Sequence, residues 1–348
     1  MTRTMSRNAG AALAGAGILL LASSALQPAE AQRQSLRWAT SDVGSYGYAV
    51  ASLMVDILEQ ALDGEYTVTV HPYPSTSAAM KAAMEGEAEI SYTADVGMRE
   101  FYDRSGPFQD YEPSVGPLVH TWYAYPMETF LTVPAAQADQ YDSWEDLSGQ
   151  PVFFTPAGYM NWLNMTRIWN ALGYDFNHVE IDNATTADAL EAGSIVGAAS
   201  YTTAGASLPT WWREAELRTD ISVVNPSEEE IAKLREAGLS PTEVDPTLAF
   251  TQDVEVDTII GVPIYFAYNV RADMDEEVVY RMLTAFMEHV SDLAEQEPGF
   301  KPLARDFVGT QVGGIAANPD IPVHPGLARF LQEHDAWNEN WTIAEQAG

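Results

Sequence analysis

The chain contains no cysteine, and only three of its 348 residues are lysine: Lys81, Lys233 and Lys301. Without cysteine there can be no disulfide, no thiolate metal site, no cysteine nucleophile and no lipid-modified N-terminal cysteine. Positive charge is also scarce. Seventeen Lys and Arg stand against fifty Asp and Glu, a formal charge of −33. Such a surface repels phosphate backbones and anionic lipid, so nucleic-acid binding and polybasic membrane association are disfavoured. A lysine-poor acidic surface outside a cell fits a saline habitat, and it equally fits solubility through net charge. The sequence has no Gly-x-Ser-x-Gly, His-Glu-x-x-His, Walker loop or Gly-x-Gly-x-x-Gly, and its six histidines are scattered without paired ligand spacing. These absences leave an exported enzyme as a minor alternative, and no cofactor or metal is expected. What is abundant is apolar and aromatic material, 46% and 11% of residues, enough for a large core.

Arg3 and Arg7 are followed by the apolar run Ala11 to Leu26 and by Ala29-x-Ala31. This order of basic start, short apolar stretch and small-residue site predicts a secretory signal peptide over residues 1–31, cleaved after Ala31. The apolar run is shorter than the roughly 20 residues a membrane span needs. A periplasmic location follows from that reading.

From Leu36 the chain alternates strand, polar turn and helix three times within one stretch ending at Tyr102. Strand candidates are 36–40, 66–70 and 90–93. Helix patterns follow at 50–62, 78–84 and 95–102. The middle repeats the theme. Strand 151–154 leads through Thr155-Pro156-Ala157-Gly158 into a helix over 161–172. A strand at 178–181 and a helix at 186–192 are followed by strand 196–200 and the turn Tyr201-Thr202-Thr203-Ala204-Gly205. The periodic segment 273–290 reads as a helix whose stripe Val278, Val279, Met282, Leu283 and Phe286 faces the core. Alternation of this kind predicts an α/β fold with a mainly parallel sheet. In such sheets ligands collect where strand C-termini meet helix N-termini.

Four stretches, in their order and spacing, resemble the TAXI family of solute-binding proteins, which serve TRAP-type secondary transporters. They are Ala39-Thr40 through Ala51; Ser75-Thr76-Ser77 with Gly86 to Ile90 and Thr93-Ala94-Asp95; Asp146 to Val152 with Thr155 to Gly158; and Gly261 to Tyr265 with Ile321 to Gly326. The resemblance implies a two-lobed, type II periplasmic-binding-protein-like fold, each lobe a mainly parallel sheet flanked by helices. One lobe would be 32–130 plus 265–348, the other 131–264, with the ligand cleft between them. It also implies a small organic solute and a membrane permease as partners. The protein itself is expected to be a monomer, and a ligand-sensing module for a membrane receptor remains an alternative. Family ligands are small carboxylates such as glutamate and 2-oxoglutarate. The glycine pairs common in the family's first and second turns are replaced here by Ser41-Asp42-Val43-Gly44 and Ser75-Thr76, so the polar cradle is bulkier.

The candidate ligand-binding residues are Ser41, Ser45 and Tyr46 in the first turn; Ser75, Thr76 and Ser77 in the second; and Thr93 and Asp95 in the third. Tyr125 is placed as a cleft wall. Thr155, Ala157, Gly158, Tyr159 and Met160 belong to the fourth turn, and Tyr201 and Thr202 to the fifth. Serine at a helix start also caps the helix, and Asp95 can be read the same way. No Arg or Lys lies in these turns. Arg99 and Arg167, each inside a following helix, read as surface or structural residues. A dicarboxylate without a bidentate arginine would depend on hydroxyls and helix termini alone, so the pattern favours one carboxylate, an amino acid or a polar aromatic acid.

Overall fold

The computed structural model describes residues 33–346. The signal-peptide expectation over 1–31 lies outside them. The described residues form ten strands: β1 (Gln34–Thr40), β2 (Tyr66–Pro72), β3 (Ile90–Ala94), β4 (Leu118–Val119), β5 (Tyr123–Pro134), β6 (Val152–Phe153), β7 (Gly197–Thr203), β8 (Ile221–Val224), β9 (Thr242–Val244) and β10 (Ile259–Arg271). The helices are α1 (Tyr46–Ala61), α2 (Thr76–Met84), α3 (Asp95–Tyr102), α4 (Met160–Leu172), α5 (Thr186–Glu191), α6 (Thr210–Glu216), α7 (Glu228–Glu236), α8 (Glu276–Gln296), α9 (Lys301–Arg305), α10 (Phe307–Ala316) and α11 (Pro325–Glu333).

The α/β architecture matches the expectation, and the sheet is mixed. Its order is β2-β1-β3-β10-β5-β7-β6, with β4 and β9 on β10 and β8 on β5. The β1 pairs with β2 and β3 are parallel, as is β6 with β7. The antiparallel pairs all involve the two long strands β5 and β10. These two run side by side through the middle of the sheet, and their run of apolar residues reflects burial on both faces.

Apolar packing divides along those strands. One cluster takes its residues from 36–127 and 264–341, with Met160, Leu163 and Tyr201 added. Two further clusters are drawn from 130–262. The stripe of α8 enters the first cluster, and all five of its residues named above are buried. Each large side chain so buried contributes roughly 1.5–3 kcal/mol. The ends of the helices are held by local chemistry. Asp275 caps α8 through the N–H groups of Glu277 and Val278, and Arg281 of α8 donates to the Ala61 carbonyl at the end of α1, at 3.1 and 2.7 Å.

Three boundaries differ from the sequence reading. Residues 178–181 form no strand, only a bridge from His178 to Val152. The α8 helix continues to Gln296. Strand β7 runs on through Thr203, because Met127, Glu128 and Thr129 of β5 pair with it there. Tyr201 and Thr202 therefore sit in a strand, not in the turn after it. Among the described residues no helix is long and apolar enough to cross a membrane.

Candidate ligand cleft

The helix starts are specified by the residues just before them. Ser45 precedes α1 and accepts from the Tyr48 N–H at 3.2 Å. Ser75 precedes α2 and accepts from the Ala78 N–H at 3.2 Å. Tyr159 precedes α4 and makes no side-chain cap, so the first N–H groups of that helix are left to other partners. All three N-terminal ends border one cavity, through Ser45, Tyr46 and Gly47 of α1, Thr76 of α2, and Tyr159, Met160 and Asn161 of α4. The cavity has a free volume of about 20 Å³, little more than a single water needs.

Strand alternation supplies the floor. Met127 of β5, Phe266 of β10, Tyr92 of β3 and Tyr201 of β7 all line the cavity. The pairings Thr129 with Tyr201, Ile264 with Met127 and Tyr268 with Tyr92 put these positions on a common face. Ser41, Gly44, Asn183 and Trp211 complete the lining. Among the described residues no Asp, Glu, His, Lys or Arg lines it. The polar atoms Tyr46 Oη, Asn183 Oδ1 and Trp211 Nε1 are buried without a hydrogen-bond partner. Buried polar atoms are ordinarily paired; Tyr46 Oη lies beside Glu297 and Gly299, and Trp211 Nε1 beside the Tyr201 hydroxyl.

The tyrosines here stay neutral. Burial, followed by the nearby Glu297, holds the Tyr46 hydroxyl well above its ordinary range. Burial, followed by the bond to Asp42, raises that of Tyr159. Burial pushes Tyr201 to about 12.

Contacts also cross the cleft directly. The Gly158 carbonyl accepts from Ser77 Oγ at 2.9 Å and from the Ser77 N–H at 3.3 Å. The Tyr159 hydroxyl donates to Asp42 Oδ1. Gly158 has φ 90°, a left-handed conformation, and a Cβ there would lie 3.1 Å from Ser75 Oγ. Only glycine lets the two turns approach this closely.

Of the residues expected from the sequence, Ser41, Ser45, Tyr46, Thr76, Tyr159, Met160 and Tyr201 line the cavity. Ser75, Ser77 and Gly158 do not line it and instead bring the second and fourth turns together by the contacts just given. The others are engaged elsewhere. Thr93 Oγ1 bonds the Ala267 carbonyl and Asn269 inside the sheet. Tyr125 is buried, with its hydroxyl 3.0 Å from that of Tyr92. Thr155 is buried behind the turn at φ 69°. The Ala157 N–H donates to Glu180. Asp95 accepts the Tyr265 N–H at 2.8 Å, and Thr202 donates to Glu128 Oε2 at 2.7 Å, both away from this cavity. Thr202 neighbours Tyr201 in a strand, so it must face the other way. The sequence reading missed Gly44, Gly47, Tyr92, Met127, Asn161, Asn183, Trp211 and Phe266. Alternation in β3 and β10 could have indicated Tyr92 and Phe266, but Asn183 and Trp211 carried no local signal. Arg99 bonds Asp320 and Asp103, and Arg167 bonds Asn164 and the Pro263 carbonyl, both in keeping with structural roles. Among the described residues no group of three or more His, Asp or Glu could hold a metal ion.

The fold recurs in solved structures. The malate-bound MatC of Rhodopseudomonas palustris superposes with a TM-score of 0.52 at 11% identity, over 81% of this chain and 96% of that one. The periplasmic aliphatic sulphonate binding protein SsuA of Escherichia coli gives 0.48 at 16% identity, over 87% and 91%. At 11% identity the MatC likeness is one of fold. No curated protein matches the chain in sequence. The fold is that of MatC, and residues 38–334 match the family model of the NMT1-like family; the chain therefore belongs to that family.

Proposed function

We propose that this chain is the extracytoplasmic solute-binding subunit of a TRAP-type secondary transporter of the TAXI family. It captures a small organic solute carrying one carboxylate, free or as part of an amino acid, and delivers it to a membrane permease. Binding and release replace chemical turnover, so the chain is not an enzyme. One observation carries the substrate class. Three helix N-termini and the hydroxyls of Ser41, Ser45 and Thr76 border a cavity lined by no cationic side chain among the described residues. Helix N–H groups and dipoles suffice for one anion. A second carboxylate would have no partner of opposite charge. The aromatic and methionine walls suit the solute's apolar part.

The two lobes of this reading are residues 32–130 with 265–348, and 131–264. They turn about the crossovers near 131–134 and 260–264. The contacts from Asp42 and Ser77 to Tyr159 and Gly158 break on opening and reform on closing. A solute touching both sides therefore favours the closed form by its differential affinity. Cleavage after Ala31 and a periplasmic location complete the reading.

The test is a thermal-shift screen with amino acids, mono- and dicarboxylates, aromatic acids and quaternary amines. Binding to the native state raises the midpoint by mass action. A monocarboxylate or amino acid should raise it most. A response confined to amines or to dicarboxylates would overturn the proposed class.

A further inference from the structure

The opposite face of β5 and β10 holds a much larger cavity, about 710 Å³. Its floor is Pro126, Glu128, Pro263 and Tyr265, the residues that alternate with the floor of the first cavity. Its walls include Asp95 of α3, Arg167 of α4, Gly238 to Thr242 after α7, and Gly313, Ala316 and Ala317 at the end of α10.

Glu128 is the unusual member. It is 5% exposed. Its Oε2 accepts from Thr202 Oγ1 at 2.7 Å and from the Gly205 N–H at 3.0 Å, while Oε1 receives no donor among the described residues. The other charged groups on the walls are accounted for. Asp95 accepts the Tyr265 N–H and lies near enough to Arg167 for attraction, and Arg167 holds Asn164 and the Pro263 carbonyl. Lys233 and Arg235 in the last turn of α7 and Glu243 of β9 are exposed and do not line the cavity, and Lys233 pairs with Glu229. Arg99 of α3 is bound to Asp320 and Asp103. The α10 segment carries no titratable residue. No cation thus serves Glu128, and burial raises its carboxyl to about 7.

Backbone fields reinforce this sign. The cavity is bordered by two helix C-termini, those of α7 at Gly238 and Leu239 and of α10 at Ala316 and Ala317. Such ends carry partial negative charge and favour cations. We propose that this cavity is a second binding site, for a small organic cation whose ammonium group is held by the free oxygen of Glu128 between the C-terminal ends of α7 and α10. The ammonium donates to Oε1, and its alkyl part lies along Pro126, Leu239, Pro263 and Ala316. The site is independent of the solute cleft, because it shares no lining residue with it.

The test is isothermal titration of the protein with n-butylammonium chloride, against sodium chloride and sodium butyrate at the same ionic strength. One saturable site is expected for the amine and none for either sodium salt. Glu128→Gln should weaken binding at least about tenfold. Below about pH 7 the proton competes for the same carboxylate, so affinity should fall by about tenfold per unit, with proton release visible between buffers of different ionisation heat. Ser240→Lys, at an exposed position on the cavity wall, brings its own ammonium and should weaken binding without disturbing buried packing. Equal affinity in Glu128→Gln and the parent, saturation by sodium chloride alone, or no saturable heat between pH 6 and 9 would overturn the proposal. Thr76→Val, on the solute cleft, should leave the amine titration unchanged, so the two sites can fail separately.

Discussion

Two cavities lie back to back on β5 and β10, and they are built from opposite ends of helices. On one face the starts of α1, α2 and α4 point inward, with hydroxyls and aromatic walls. On the other the ends of α7 and α10 come together with Glu128 and Asp95. One face offers donors without a charged side chain. The other offers two carboxylates and carbonyl ends, with the Arg167 guanidinium on the same wall held by Asn164 and the Pro263 carbonyl. The difference shows how a single strand pair separates an uncharged lining from a charged one simply because neighbouring residues face opposite ways. Met127 and Glu128 are adjacent in sequence, yet they line different cavities.

The largest effect expected from breaking this comparison is on stability. Glu128 ionises at about 7 in the folded chain against 4.5 ordinarily, because burial penalises the charge. The folded state holds this proton more tightly than the unfolded state. Stability from this group is therefore fully present below pH 4.5 and lost as pH rises through 7. Glu128→Gln keeps the shape and removes the charge, so it should stabilise the protein by about 3 kcal/mol at pH 8 and by nearly nothing at pH 4.5. Denaturant melts at the two pH values measure it. His120 and His324 oppose this trend, each lowered to about 4 by burial. Their neutral forms are favoured by folding, so their contribution is lost as pH falls from 6.5 towards 4. In the Glu128→Gln protein the loss that Glu128 causes as pH rises through 7 should be gone, while the histidine contribution remains. A gain as large at pH 4.5 as at pH 8 would show that charge is not the cause.

Next in size is Tyr159→Ala. It removes a wall of the first cavity and the bond across the cleft to Asp42. Solute affinity should fall about thirtyfold, about 2 kcal/mol, with the fold retained. A smaller loss is expected for Thr76→Val, which takes one hydroxyl from the start of α2. About fivefold, or 1 kcal/mol, corresponds to one neutral hydrogen bond. Parent-like affinity in both variants would mean that the solute sits elsewhere.

Much of the first cavity's lining was legible because its signals are local. Ser45 and Ser75 are favoured helix caps, and glycine with hydroxyl residues after a short apolar run marks a strand-to-helix turn. These cues place Ser41, Ser45, Tyr46, Thr76, Tyr159 and Met160 at helix starts without knowledge of tertiary pairing. What was not legible depends on distant partners. The end of β7 is fixed by pairing with β5, some 70 residues earlier in the chain. That pairing sends Thr202 to Glu128 and Tyr201 to the first cavity. Asn183 and Trp211 reach the cavity from segments with no periodic pattern. Glu128 stands inside an apolar strand, where sequence shows only an acid out of place. Its surroundings exist only once α7, α10 and the two long strands have met.

The smallest expected effect is none at all, and it separates the two faces most cleanly. No group lining the first cavity gains or loses a proton near neutrality, since burial raises all of its tyrosines above their ordinary range. A solute carboxylate is itself ionised above pH 5. Affinity in the cleft should therefore be level from pH 6 to 8. Over the same span the amine site should strengthen, because Glu128 is then losing its proton. Parallel titrations with the two probes test both arms. If cleft affinity follows the same curve as the amine, the two cavities are coupled through β5, and Glu128 then acts on the solute through the strand it shares with Met127.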